Sequence, residues 1–197
     1  MKFENIPSAK LPTVFGEFRV YGFQDIESGE EAVALVMGSP SSETAALVRI
    51  HSQCLTGDVF SSMRCDCGEQ LNAALDMIAK AGNGVLVYQQ KEGRGIGLTN
   101  KIRAYELQDK GFDTVEANIS LGFDADMRDY VMPAEILKYL GATRVKLLSN
   151  NPEKVRGLEK EGIIVEKRVP IEVIPNNIDQ NYLRVKKEQM GHLLKNV

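Results

Sequence analysis

All three cysteines of this 197-residue chain fall in one stretch, HSQCLTGDVFSSMRCDC, as Cys54, Cys65 and Cys67. The spacing C-x10-C-x-C is the strongest constraint on the fold, because thiols this clustered in sequence ask the chain to bring them to one point. The start, MKFENIPSAKLPT, lacks the apolar core of a secretion signal. A reducing, cytoplasmic setting follows, in which an odd set of cysteines points to metal or catalysis rather than to a disulfide framework. A structural zinc usually closes with four Cys or His ligands, whereas a catalytic zinc keeps three protein ligands and one open position. Three thiolates fit the second case. His51 or His192 as a fourth ligand would give the first, and three unrelated buried thiols are the remaining alternative. Arg64 and Asp66, which flank the thiols, read as a solvated charge pair or as support for the metal loop.

The charge balance narrows the partners. A net charge of −3 and a pI of 5.5 argue against a general nucleic-acid or membrane-surface binder, which selects clustered Lys and Arg. No apolar run approaches the ~20 residues of a membrane span. Any anion must therefore be held locally. With 43% hydrophobic and 26% charged residues the composition is that of a globular protein, and one domain over residues 1–197 is expected, its tail from about residue 175 a last helix or partly flexible.

Strand-like runs at Phe15 to Phe23, Ala32 to Met37 and Ala45 to His51, separated by ESGE and GSPSSE, predict an antiparallel N-terminal half. Leu71, Ala74, Leu75 and Ile78 follow i, i+3, i+4, i+7 and predict a helix ending at Gly82. Then strand and helix alternate: strand 84–90, helix 98–110, helix 133–140, strand 144–149, helix 152–161 and strand 163–169. The fold class is mixed α/β, with Pro133 and Pro152 suited to first helical turns.

Four further groups carry polar chemistry. Gly93, Gly95 and Gly97 around Arg94 lie between a strand and a helix, where backbone N–H groups can approach a phosphate; a plain turn is the alternative. Tyr105 shares a helical face with Leu98 and Ile102, which predicts a core tyrosine. Asp124, Asp126, Arg128 and Asp129 form a charged loop, either solvated or a placed base and charge clamp. Ser149, Asn150, Asn151 and Lys154 sit at a strand-to-helix junction, either a ligand site or a helix cap.

Five stretches occur in order: HSQCLTGDVFSSMRCDCGEQL, KEGRGIGLTNKIRAYELQDKG, DTVEAN, LGFDADMRDY and SNNPEKV. Together they resemble the GTP cyclohydrolase II family, from about Lys10 to the MGHLL near the end of the chain. The resemblance implies that GTP loses pyrophosphate, that water activated by zinc attacks the imidazole C8, and that this carbon leaves as formate. The product is 2,5-diamino-6-ribosylamino-4(3H)-pyrimidinone 5′-phosphate, at the entry to riboflavin synthesis. Cys54, Cys65 and Cys67 are the implied ligands of one catalytic zinc per subunit, and magnesium accompanies the triphosphate. Arg49, Ile50, His51, Ser52, Gln53, Gln70, Glu92, Gly93, Arg94, Thr114, Ser149 and Lys154 are the implied GTP contacts, in a homodimer. Asp126 is the implied proton acceptor, Arg128 the nucleophile, and Tyr105 a neighbour of the opening ring. Because a guanidinium with pKa above ~12 stays protonated, a clamp on developing phosphate charge suits Arg128 better on physical grounds. Gln53 stands where the family commonly has Glu, and Ser149 where Thr is common. The alternatives are a family member that completes only part of the reaction, against which Tyr105 speaks, and a zinc-stabilised binding module. Starting almost at AKLPT, the chain is expected to be monofunctional.

Overall fold

Short polar turns shape the N-terminal third into a meander. Between the second and third strands, Asp25 accepts from Ser28 N–H at 3.0 Å, Ser28 Oγ at 2.7 Å and Lys2 N–H at 2.9 Å, so its carboxylate organises the ESGE turn. The computed structural model describes residues 1–124 and 127–196. In chain order its elements are β1 (Ser8–Thr13), β2 (Gly16–Gln24), β3 (Glu31–Met37), β4 (Ala46–Ser52), α1 (Leu55–Asp58), α2 (Cys67–Ala81), β5 (Gly84–Gln89), a 3-10 turn (Glu92–Gly95), α3 (Leu98–Asp109), α4 (Thr114–Ser120), α5 (Val131–Tyr139), β6 (Arg144–Leu148), α6 (Pro152–Lys160), β7 (Ile164–Val169) and α7 (Gln180–Glu188).

They group into two compact units: Met1–His51 with Leu71–Gln90 and Asp129–Ile171, and Ser52–Gln70 with Lys91–Arg128 and Glu172–Val197. The first unit holds a seven-stranded sheet in the order β1-β2-β3-β5-β4-β6-β7. Alternation divides β5 between the two faces of the sheet. Val85 and Val87 pack with Val48, Ile50, Met132, Ile136, Leu137, Leu147 and Leu158, against α5 and α6. Leu86 joins Phe18, Ala74 and Ile78 on α2. Each such fully buried aliphatic side chain contributes about 1.5–3 kcal/mol of transfer free energy, so these two layers hold the sheet together.

The mixed α/β expectation is met, but the antiparallel half is only partly so. β1, β2 and β3 pair antiparallel, as does β3 with β5; β4 instead pairs parallel with β6, Ala46 opposite Val145 and Val48 opposite Leu147. β6 and β7 are also parallel. In the fold ALVRIHS is buried at five of its seven positions, the near-continuous burial of a strand covered on both faces. Both prolines fall in first turns as expected, Pro152 as the first residue of α6 and Pro133 as the third of α5.

The second unit is mostly helical. α4, which periodicity did not reveal, is built by its cap: Asp113 accepts from Val115 N–H and Glu116 N–H while Glu116 accepts from Asp113 N–H. The tail forms α7, with Leu183, Val185 and Lys186 buried.

Candidate active site

Cys54 immediately precedes α1, Cys65 lies in the following loop and Cys67 opens α2, and the three Sγ atoms lie within 4.8 Å of one another. Cys54 Sγ and Cys65 Sγ are 3.6 Å apart. Zinc–sulfur bonds of about 2.3 Å at tetrahedral angles would place thiolates roughly 3.8 Å apart, so the cluster fits a metal of that type. Gly57 makes the convergence possible. A Cβ there would meet Cys65 Sγ at 3.0 Å, Cys67 Cβ at 3.1 Å and Cys54 Sγ at 3.2 Å. Among the described residues the metal-competent group is these three cysteines, without a histidine. His51 stacks on Tyr88 instead, ring centroids 5.4 Å apart.

Electrostatics give the same answer as geometry. Hydrogen bonds from Cys65 and Cys67 hold the Cys54 thiol far below its usual range, whereas Cys65 is pushed up to about 11 by its bond to Cys54, and Cys67 is raised well above by both neighbours. Thiols packed this closely ionise one at a time, so three thiolates require a cation among them.

Lys101 is the nearest fixed cation, and it is a residue that sequence reasoning missed. Its ammonium donates to Cys54 Sγ at 3.1 Å, Thr56 Oγ1 at 3.0 Å and Glu92 Oε1 at 2.7 Å. Burial alone would lower its pKa, but Glu92 and Cys54 hold it above the ordinary lysine range. Glu92 Oε2 accepts from Leu55 N–H at 2.7 Å, so one buried carboxylate ties Lys101 to the cysteine loop.

Tyr105 follows Lys101 by one helical turn. Its hydroxyl lies 3.2 Å from Thr56 Oγ1, burial pushes its pKa up, and the Arg64 guanidinium stands 4.9 Å over the ring. The expected core face is therefore rotated: Leu98 and Ile102 are exposed, while Lys101 and Ala104 are buried. An ammonium with three acceptors can replace an apolar side chain there.

Arg64 sits in a solvated ion pair, as expected, but Asp66 does not. Asp66 is buried and accepts from Lys186 Nζ at 2.8 Å and from Gln70, while Arg64 pairs with Asp109. Arg128 donates to Ser52 Oγ at 3.4 Å. Ser52 and Gln53 are half-buried beside Cys54, and Asp124 and Asp129 are exposed. Asp126 lies outside the described residues.

In the glycine loop Gly93 and Arg94 both adopt left-handed conformations, φ 59° and 62°, and Gly97 (φ 82°) precedes α3. At Gly93 a Cβ would meet Ile96 Cγ1 at 2.9 Å and Lys101 Cβ at 3.1 Å, so glycine is required both by conformation and by close approach. Thr114 is the first residue of α4.

The other predicted contacts belong to the sheet unit. Arg49 and Lys154 are buried and donate to backbone carbonyls, Arg49 to Leu148 at 3.0 Å and Lys154 to Ile50 at 2.7 Å. Ser149 Oγ accepts from Asn151 N–H at 3.0 Å, and Asn151 caps α6 through Glu153 N–H. Asn151 thus caps the helix at this junction, where Arg168 also donates to the Ser149 carbonyl at 3.0 Å.

A family model described as GTP cyclohydrolase II matches residues 4–170. The GTP cyclohydrolase-2 of Escherichia coli is 53% identical over 194 residues, 98% of this chain and 99% of that protein. The riboflavin biosynthesis protein RibBA of Chlorobium phaeovibrioides is 52% identical over 186 residues, 94% of this chain but 45% of that longer protein. A solved structure of RibBX, a two-domain 3,4-dihydroxy-2-butanone 4-phosphate synthase from A. baumannii, aligns with TM-score 0.43 and 23% identity over 76% of this chain and 34% of its own.

Proposed function

The chain belongs to the GTP cyclohydrolase II family, and from that premise we propose that it hydrolyses GTP to the diaminopyrimidinone ribosyl phosphate, formate and pyrophosphate, the first step of riboflavin synthesis. One observation carries this reading to the atoms: Cys54, Cys65 and Cys67 converge within 4.8 Å in a chain that matches the family over residues 4–170.

The three cysteines are the proposed holders of one zinc ion. When bound, zinc supplies a Lewis acid and lowers the pKa of water to about 7, which makes hydroxide available at neutral pH. The residues of the chain do the rest. The Tyr105 hydroxyl, 3.2 Å from Thr56 Oγ1, is the proposed hydrogen-bonding partner of the opening ring. Arg128 clamps the developing phosphate charge, since a protonated guanidinium has no lone pair with which to attack phosphorus. Asp126 takes the proton. Arg49, Ile50, His51, Ser52, Gln53, Gln70, Glu92, Gly93, Arg94, Thr114, Ser149 and Lys154 are the proposed contacts to GTP, with magnesium on the triphosphate of the substrate. A homodimer in a reducing cytoplasm is the proposed working form. Among the described residues no helix is long and apolar enough to cross a membrane.

The test is to incubate the protein with GTP, magnesium and zinc and to quantify pyrophosphate, formate and pyrimidine product together. Equal amounts, abolished by Cys54→Ser, are expected. Pyrophosphate without formate would instead reveal a truncated reaction, and no turnover would refute the reading.

A further inference from the structure

We propose that Lys101 is a positioning residue that tunes the metal through one of its ligands: its ammonium donates to Cys54 Sγ and withdraws charge from that thiolate. The inference rests on the reading of the three cysteines as a metal site. It goes beyond that reading by assigning a role to a residue outside the ligand set.

The case is geometric. A lysine ammonium has three donors, and Lys101 directs them at three acceptors: Glu92 Oε1 at 2.7 Å, Thr56 Oγ1 at 3.0 Å and Cys54 Sγ at 3.1 Å. A lysine that served only to neutralise a carboxylate would need just the first of these. Nor is the position free to drift. The Lys101 and Glu92 side chains are 10% and 7% exposed, and the other oxygen of Glu92 accepts from the N–H of Leu55, the residue after Cys54. The carboxylate thus fixes the ammonium and the thiolate in one frame. Gly93 lets the loop pass closely against Lys101 Cβ, which would be crowded by any side chain there.

The charge count points the same way. The metal, three thiolates, Lys101 and Glu92 together carry one net negative charge, and without the ammonium two would be left in a dry site where uncompensated charge is costly. A hydrogen bond to sulfur stabilises its lone pairs and reduces what they give to the metal. The metal is then a stronger Lewis acid, as partners beyond the ligand shell commonly arrange.

The test uses cobalt(II) in place of zinc, because thiolate-to-cobalt charge-transfer bands report the energy of the sulfur lone pairs. Lys101→Met is expected to move these bands to lower energy and to reduce kcat by roughly 10–100-fold, the range typical when such a partner is removed, with KM changed little. Lys101→Arg should return the bands part of the way. Because Lys101→Met strands the Glu92 carboxylate, Lys101→Met with Glu92→Gln provides the cobalt-band readout, though not the kinetic one, without a buried uncompensated charge. Bands that stay in place in variants that bind cobalt overturn the inference, as do folded variants that no longer hold cobalt, since Lys101 would then build the site rather than tune it. A wild-type protein without the bands overturns the metal reading itself.

Discussion

Lys186 donates to Asp66 at 2.8 Å, and their side chains are only 11% and 4% exposed. Asp66 stands between Cys65 and Cys67, so the bond ties α7 to the cysteine loop. Burial opposes the charge on Lys186, but Asp66 holds its pKa above the ordinary range, and the ammonium also lies 4.2 Å from the centre of the Tyr182 ring. Breaking a buried pair by removing one partner costs about 3–5 kcal/mol, because the survivor stays charged in a dry place. Lys186→Met should therefore lower the melting temperature markedly and speed metal loss to a chelator. The same substitution combined with Asp66→Asn should recover much of the stability. Equal melting of the single variant and the wild type would show that the pair is not coupled to the fold.

Gly57 tests the metal loop by sterics alone. An alanine methyl would sit 3.0 Å from Cys65 Sγ and 3.2 Å from Cys54 Sγ, closer than sulfur and carbon tolerate without a shift. Metal geometry tolerates about 0.5 Å of displacement, so Gly57→Ala should lose metal to a chelator faster than the wild type. Thiols without metal can rotate away, though the 3.1 Å contact with Cys67 Cβ remains, so the melting temperature of metal-free protein should fall less than that of the metal-bound form. Metal content after dialysis, read beside a melting curve, checks both halves.

How much of this was legible in the sequence depends on the kind of signal. The cysteine cluster was, because C-x10-C-x-C is local and its chemistry is narrow. Strands and helices with strong periodicity fell within a residue or two of their observed limits. The parallel pairing of β4 was not legible from strand length and turns, because pairing is set by burial on both faces, which depends on α2 and α5 far along the chain. Lys101 was missed for a physical reason: on helix α3 it looks like a solvated residue beside an apolar face, and only the convergence of Glu92, Thr56 and Cys54 makes it a buried cation. The support that Asp66 gives the cysteine loop was among the readings, but its partner was not legible, since Lys186 is 120 residues away.

Asp113 links the cap of α4 to pH. Burial raises its carboxyl pKa, but N–H donors of Glu116 and Val115 and the Gln189 amide more than offset this and hold it below the usual carboxylate range. A depressed pKa in the folded state means stability that is present above the ordinary carboxylate pKa and is lost as the pH falls through the folded value. Asp113→Ala should cost about 1 kcal/mol at neutral pH, the usual worth of such a cap. The difference from wild type in urea unfolding should shrink as the pH is lowered through the carboxylate range; a difference constant with pH would rule out the ionised cap.

Lys154 separates a structural from a substrate role. Its ammonium donates to the Ile50 carbonyl at 2.7 Å and is almost fully buried at the start of α6, so it anchors the end of β4. A hydrogen bond from a charged group contributes about 1.5–3 kcal/mol. Lys154→Met should reduce the unfolding free energy by that amount in the absence of nucleotide. If Lys154 also meets GTP, the same variant should raise KM for GTP, and Lys154→Arg, which keeps the charge but changes the reach, should restore stability more fully than KM. A loss of stability with unchanged KM would confine Lys154 to holding the sheet.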